Sequence, residues 1–405
     1  MTVLTGQAWL TASATRSVLA ALEAAGGPGC ARFVGGCVRN ALMGREIDDI
    51  DIATTLKPEE TERAIRAAGL KAVPTGIDHG TVTAVAERQP FEITTLRRDV
   101  STDGRNATVA FTDDWAEDAA RRDFRLNALY ADGEGRVFDP TGQGVADAAA
   151  GRIVFVGDPG TRIREDYLRI LRFFRFFAWY GRGEPDAAGL DACRDLAPGM
   201  TRLSAERVSK ELMKLLAATD PRPAMAAMEK TGVLSQVLPE AGPMTLFDVV
   251  VDLSDDPVVR LMTLFPVDAE AMRRASERLR FPNAARDRLV GSALAAPVVS
   301  LDMSDAQARA AVYRQGGRAV ADALMRLHAA APGRGEETMR LLGVANGWVR
   351  PRLPVGGKEV ARLGLEPGPE TGRLLKAFED SWIAADFPGE GHAERLAALV
   401  NPRRG

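Results

Sequence analysis

Residues 34–54, VGGCVRNALMGREIDDIDIAT, decide the fold. The apolar run ARFV, residues 31–34, reads as a buried strand that ends on two glycines, and Cys37 to Met43 then suit a short helix. REIDDIDIATT follows with Ile47, Ile50 and Ile52 set between acids, the pattern of a strand end. In an extended chain, residues 49 and 51 project to one face, so Asp49 and Asp51 would place two carboxylates at one spot, with Asp48 alongside. Paired hard oxygen donors suit Mg²⁺, and in nucleotidyl transfer two such ions activate an attacking hydroxyl and stabilise leaving pyrophosphate. Gly35 and Gly36 sharpen that reading, because glycine lets backbone N–H groups come close to a triphosphate. By itself Asp-x-Asp also fits a solvated strand edge.

Working outward, a helix at residues 16–25 precedes this stretch and closes on GGPG. After it, Lys57 to Ala68 form an amphipathic helix with Pro58 in its first turn, and strands are predicted at Thr81–Ala86 and Phe91–Leu96. The second of these contains FEIT, whose Glu92 is a candidate third acid for the site. A long loop rich in Asp, Gly and Arg is predicted from Arg97 to about Asp114, then a helix over Arg121–Leu129, a strand at Arg136–Phe138 and the turn DPTGQG. In ARRDFRLNALY, residues 120–130, helical spacing puts Asp123 and Asn127 on one face, with Arg122 beside them and able to reach a phosphate.

From about residue 160 strand signals largely stop. Ile163, Leu168, Ile170, Leu171, Phe174 and Phe177 recur at helical spacing, and Ser204 is placed to cap a helix reaching about Leu216. RIREDYLRILRFFRFFAWYGR, residues 162–182, carries six arginines and two acids. In one continuous helix Asp166 and Arg169 share a side. They serve either as part of an ion-paired surface or as matched acceptor and donors for a base edge. Phe173, Phe174, Phe176, Phe177 and Trp179 read as core, Cys37 as buried packing, and His79 as a turn or substrate-orienting residue.

The chain has 405 residues with a formal charge of −3, which excludes a globally polybasic nucleic-acid coat and confines any such surface to a local patch. Cys30, Cys37 and Cys193 make no metal-ligand spacing, and His79, His328 and His392 are too far apart in sequence for a local cluster. No 18-residue uncharged apolar stretch and no basic leader followed by an apolar run occurs, so a cytoplasmic protein without a membrane partner is expected. Seven lysines against 45 arginines is a bias that genome composition can produce, and it identifies no surface.

In order along the chain, VGGCVRNALMGREIDDIDIAT, TGIDHGTVT, FEITTLRRD, RRDFRLNALY, DPTGQGVADAAAGRIVFVGDP, RIREDYLRILRFFRF and LSAERVSKELMKLL resemble the bacterial class II CCA-adding enzymes, within the tRNA nucleotidyltransferase and poly(A) polymerase family. The match runs over roughly residues 31–216. It implies an α+β, polymerase-β-like nucleotidyltransferase head (1–150), a helical neck with a nucleotide-selecting motif (151–220), and a helical, RNA-binding body and tail (221–405). By this resemblance Asp49 and Asp51 hold Mg²⁺ in a two-ion site, with Glu92 as the third acid, while Gly35, Gly36 and Arg39 hold the triphosphate. Arg122, Asp123 and Asn127 meet ribose and phosphates, and Glu165, Asp166 and Arg169 match an EDxxR motif that selects CTP or ATP by pairing with the base. Arg172 is counted with these nucleotide-binding residues, and Glu206 and Arg207 match a helical motif supporting the neck.

The implied substrates are CTP, ATP and the tRNA 3′ acceptor end, and no obligate protein partner is evident. The loop at 97–114 resembles one that helps such sites switch from C to A addition. Asn40 and Arg125 depart from the family pattern, which has an acid and a threonine there. A His-Asp phosphohydrolase signature and a lysine-rich tail are both missing from the sequence. Poly(A) synthesis, or addition of only CC or only A, is the nearest alternative. A catalytically silent RNA binder and a sugar or antibiotic nucleotidyltransferase fit the motifs less well.

Overall fold

The computed structural model describes residues 2–76, 80–103 and 106–400. The chain forms two compact units, Met1–Pro239 and Glu240–Gly405.

The described residues of the first unit contain nine strands in chain order: β1 (Ala31–Val34), β2 (Asp51–Thr54), β3 (Lys71–Gly76), β4 (Thr81–Ala86), β5 (Gln89–Thr95), β6 (Arg97–Asp103), β7 (Asn106–Phe111), β8 (Tyr130–Ala131) and β9 (Val137–Phe138). Seven of them form one sheet in the order β3-β4-β5-β2-β1-β8-β9. Every contact in that sheet is antiparallel except β2 with β5, which run parallel with Asp51 opposite Glu92 and Ile52 opposite Ile93. Side chains alternate across a strand, so Asp51 and Glu92 share one face while Ile52 and Ile93 share the other. Phe33, Ile52, Val82, Phe91 and Ile93 are buried, and the helices Ser13–Gly26 and Pro58–Ala67 pack against strands of the sheet. A separate apolar cluster of Val34, Ala53, Leu96, Ala119, Ala128, Tyr130 and Val156 includes Ala53, two residues along β2 from Asp51 and on its face.

The segment 97–111, predicted as a loop, is instead the two-stranded β6–β7 hairpin, with Arg97 opposite Phe111 and Asp103 opposite Asn106. Its β-branched residues Val100, Thr102, Thr108 and Val109 favour strands, and the charged residues among them masked that signal in the sequence.

Among the described residues every element from Pro159 onward is helical, as the spacing predicts. Two points differ in detail. The helix predicted across residues 163–177 is two helices, Pro159–Glu165 and Leu168–Tyr180, broken at Asp166, whose backbone is extended (φ −153°, ψ 107°). Ser204 sits at the N-cap of Ala205–Leu216, but its side chain makes no capping bond. Phe173, Phe174, Phe176 and Phe177 are buried as expected; Phe173 stacks on Phe155 at 5.6 Å between centroids and Phe176 lies 5.1 Å from Phe124, clamping the second helix to the head.

The second unit is helical throughout its described residues, with one core around Leu324 and Leu341 and another around Phe378 and Trp382. Arg288 bridges Asp256 and buried Asp322. No helix of the described residues is long and apolar enough to cross a membrane.

Candidate active site

Gly35 follows β1 with φ +69° and ψ −118°, a backbone that a residue bearing a Cβ rarely adopts, and its N–H donates to the Leu129 carbonyl at 3.2 Å. The helix Gly36–Leu42 starts immediately after it. Arg39, on that helix, exposes only 7% of its surface. Its Nη1 donates to Asn127 Oδ1 at 2.6 Å, its Nη2 to the Tyr180 hydroxyl at 2.8 Å, and Nε and Nη2 donate to Asn40 Oδ1 at 3.1 and 2.9 Å. The guanidinium also lies 4.0 Å from the Tyr180 ring centre. The three side chains that hold this nearly buried cation are neutral, which leaves its charge available to an anion.

The acids lie on the neighbouring strand. Asp51 opens β2 opposite Glu92 of β5, while Asp49 stands in the irregular segment before it, so the strand begins at Asp51 and residues 45–50 lie outside it. That segment is held to the preceding helix instead of the sheet: Arg45 N–H donates to Asn40 O at 2.8 Å and Asn40 Nδ2 to Glu46 O at 2.7 Å. Asp49 and Glu92 are exposed and Asp51 is half-buried. Burial, then Glu92 and Asp49, push the Asp51 carboxyl up to about 6, against the pull of Arg122. A divalent cation would relieve this crowding. Among the described residues no three His, Cys, Asp or Glu side chains converge as a metal cage, and the residues present fit the open arrangement of Mg²⁺, which takes one or two carboxylates and completes its shell with water and substrate phosphates. Cys37 packs behind, its thiol 3.8 Å from the Asp51 carbonyl and pushed up to about 11 by burial.

The segment 121–129 is not the predicted helix. Trp115–Ala120 is helical, Phe124 bridges to Phe155 as extended chain, and Arg125–Asn127 form a single 3₁₀ turn. Asp123 and Asn127 still meet, Nδ2 donating to Oδ1 at 3.0 Å, because the turn curls back as tightly as a helix would. Arg172 donates through Nε to the other Asp123 oxygen at 2.8 Å, which explains its place beside the site. Burial would raise the Asp123 carboxyl, but Arg172 and Asn127 outweigh it and hold it down to about 2. Arg122 is oriented by Asp118 (Nη2 to Oδ2, 2.9 Å) and turns Nη1 toward Gly35, where a Cβ would stand 3.7 Å away.

Asp118 escaped the sequence reading. It is buried and also takes bonds from Arg121 and the Tyr130 hydroxyl, at 2.9 and 2.7 Å. Burial raises its carboxyl, yet Arg122 and Arg121 bring it to about 2. Its spacing, three and four residues ahead of Arg121 and Arg122, was the available signal. Tyr180 lies 141 residues from Arg39, so no local spacing marked that contact.

At the break between the neck helices, Asp166 Oδ1 accepts from Leu168 N–H at 3.0 Å, and Asp166 Oδ2 accepts from Arg207 Nη2 at 2.6 Å. Arg169 pairs with Glu165 at 2.6 Å, not with Asp166, and donates to the carbonyls of Arg162 and Arg121. Tyr167 lies so close to Gly199 that a Cβ there would come within 1.9 Å of its ring. Asp166 and Arg169 are thus each held by a separate partner. His79 lies outside the described residues.

Residues 31–154 match the family model of the poly A polymerase head domain, and residues 185–244 that of a probable RNA- and SrmB-binding site of polymerase A. The human mitochondrial CCA tRNA nucleotidyltransferase 1 is 34% identical over 374 residues, covering 89% of this chain and 84% of its own. This chain belongs to the class II CCA-adding enzyme, or tRNA nucleotidyltransferase, family. A CCA-adding enzyme of Streptococcus gordonii is 30% identical over 416 residues, 96% of each chain. The same fold occurs in the Bacillus stearothermophilus CCA-adding enzyme in complex with CTP (TM-score 0.77, 24% identity, 97% and 98% covered) and the Thermotoga maritima CCA-adding enzyme complexed with tRNA (TM-score 0.68, 18% identity, both chains covered in full).

Two departures from the family pattern have structural counterparts. Asn40 replaces the usual acid and bonds with both ends of its amide. Arg125 replaces threonine and lies 3.8 Å from buried Asp147, which Arg152 also pairs at 2.9 Å.

Proposed function

We propose that this CCA-adding family member transfers CMP, CMP and AMP from CTP and ATP to the 3′ end of tRNA, without a nucleic-acid template and with release of pyrophosphate. The single observation that carries this reading is the convergence in one unit of the in-register pair Asp51 and Glu92, the neutral-walled Arg39, and the separately braced Asp166 and Arg169. Near full-length coverage by relatives named as CCA-adding enzymes supports it.

Asp49 and Asp51, with Glu92 beside them, would hold Mg²⁺, which when bound supplies charge that activates the 3′-hydroxyl and stabilises pyrophosphate. Arg39 and Arg122 donate to the triphosphate oxygens, and their charge meets the negative charge that develops at the α-phosphorus. The backbone N–H groups at Gly35 and Gly36 approach the same phosphates because no side chain intervenes. Arg169 donates to a ring nitrogen or carbonyl of the base and Asp166 accepts from its amino group, a pairing that cytosine and adenine can both satisfy. The helices around residues 185–244 contribute contacts to the RNA backbone, a salt-dependent part of the affinity. The three cysteines are buried free thiols, in keeping with action in a reducing cytoplasm.

The test is product length and sequence after incubation with Mg²⁺, CTP and ATP on tRNAs lacking CCA, CA or A. Addition that ends cleanly at CCA is expected. An unbounded A tail, or only CC or only A, would assign the chain to a sister activity.

A further inference from the structure

Asn40 joins two parts of the site that otherwise lie on different elements. Its Oδ1 accepts two bonds from Arg39, at 3.1 and 2.9 Å, and its Nδ2 donates to the Glu46 carbonyl at 2.7 Å. A carbonyl can only accept and a guanidinium can only donate, so the amide has one orientation that satisfies both. Its own backbone carbonyl takes the Arg45 N–H at 2.8 Å, closing a clasp on the segment that leads into Asp49 and Asp51. An aspartate at this position can serve Arg39 but has no proton for Glu46 and sets a negative oxygen against that carbonyl. The arginine is otherwise secured by Asn127 and Tyr180, and although Arg45 stacks on the Tyr180 ring, among the described residues Asn40 is the one side chain hydrogen-bonded to both Arg39 and the acidic segment.

We propose that Asn40 is a positioning residue that fixes the acidic segment 45–50 relative to Arg39, so that the metal-binding and triphosphate-binding groups are set as one piece. The inference rests on the proposed nucleotidyl transfer for its kinetic consequence, but its structural claim is testable without it. In the full chain, Asn40→Asp retains the Arg39 contact and severs the Glu46 contact; Asn40→Ala severs both. Hydrogen–deuterium exchange of the free protein should rise about tenfold in peptides spanning residues 43–50 for both variants, the change expected from losing a bond and, for the acid, adding a repulsion. With tRNA lacking CCA, Asn40→Asp should reduce kcat for CMP and AMP addition by the same factor, about tenfold, and leave the nucleotide KM within about threefold. Asn40→Ala should in addition raise KM for CTP and ATP alike. Unchanged exchange at 43–50 overturns the proposal, as does a kinetic effect confined to one nucleotide. If the unaltered protein transfers neither nucleotide, the reading of the reaction fails while the exchange measurement still decides the clasp.

Discussion

Asp166 accepts a 2.6 Å hydrogen bond from Arg207, 41 residues further along the chain, while Arg169, three residues from Asp166, is held by Glu165. Asp166 and Arg169, the proposed base-reading pair, therefore depend on different supports. Arg207→Ala should release Asp166 alone, weakening discrimination between correct and incorrect nucleotides by about tenfold, a value near one hydrogen bond's worth. The pair is partly exposed, 25% and 21%, so the fold should lose no more than about 1 kcal/mol. Misincorporation ratios on tRNA lacking CCA, with a denaturation curve alongside, check both. Selectivity unchanged at intact stability would leave Arg207 a purely structural brace.

Replacing Arg169 tests its proposed base-reading role separately from ion pairing. Arg169→Ala leaves Glu165 paired with Arg162, so no buried acid is stranded. The expected result is loss of C-versus-A selectivity with the fold preserved. Competition between CTP and ATP at each partial CCA end measures it, and retained selectivity would return the residue to the helix-surface network.

For the acids, Asp49→Ala should lower transfer by about a thousandfold, the scale of several kcal/mol of charge stabilisation lost with a bound metal, and leave tRNA affinity within about twofold. Asp49 is exposed and outside the strand, so its removal disturbs no packing. Filter binding beside a transfer assay separates the two effects, and substantial residual transfer would remove Asp49 from the metal site.

What was legible in the sequence was what local pattern controls. The glycine pair, the spacing of Asp49 and Asp51, the FEIT strand and the change to helical periodicity after residue 160 are all short-range features, and the family resemblance attached roles to them. The break at Asp166 was hidden because apolar spacing continues across it; what opens the chain there is a bond from Leu168 N–H, with Arg207 arriving from another helix. Asp123 illustrates the same limit, since its neighbour Asn127 was readable and its partner Arg172, 49 residues away, acquired meaning only in three dimensions. The β6–β7 hairpin was obscured by the charged residues interspersed along its strands.

Asp118 and Asp123 make the first unit acid-sensitive. Both carboxyls lie at about 2 in the fold, below the ordinary 3.8, so the unfolded chain binds protons first as pH falls. Their contribution is fully present above about pH 4 and is lost progressively between about pH 4 and 2, on the order of 2 kcal/mol for each acid. Urea midpoints at pH 5, 4 and 3 should fall steeply in the last interval. Asp118→Asn should flatten that fall while costing about 3 kcal/mol at neutral pH, because it leaves Arg121 and Arg122 without their buried counter-charge. A pH profile unchanged by that substitution would mean the arginines find another acid.

Arg125 presents the opposite case, a departure from the family residue with little at stake for folding. Its guanidinium is 3.8 Å from Asp147, beyond hydrogen-bonding distance, whereas Arg152 bonds that buried acid at 2.9 Å. Arg125→Thr should therefore cost less than about 1 kcal/mol, and Arg152→Ala should cost more despite greater exposure of its side chain, 53% against 31%, because it removes the direct hydrogen bonding to the buried Asp147 side chain. The double variant decides how far Arg125 compensates: Asp147 would then be a buried charge with no cation, and a loss well beyond the sum of the two single changes is the expected outcome. Simple additivity in urea denaturation would show that the longer contact does not support the acid at all.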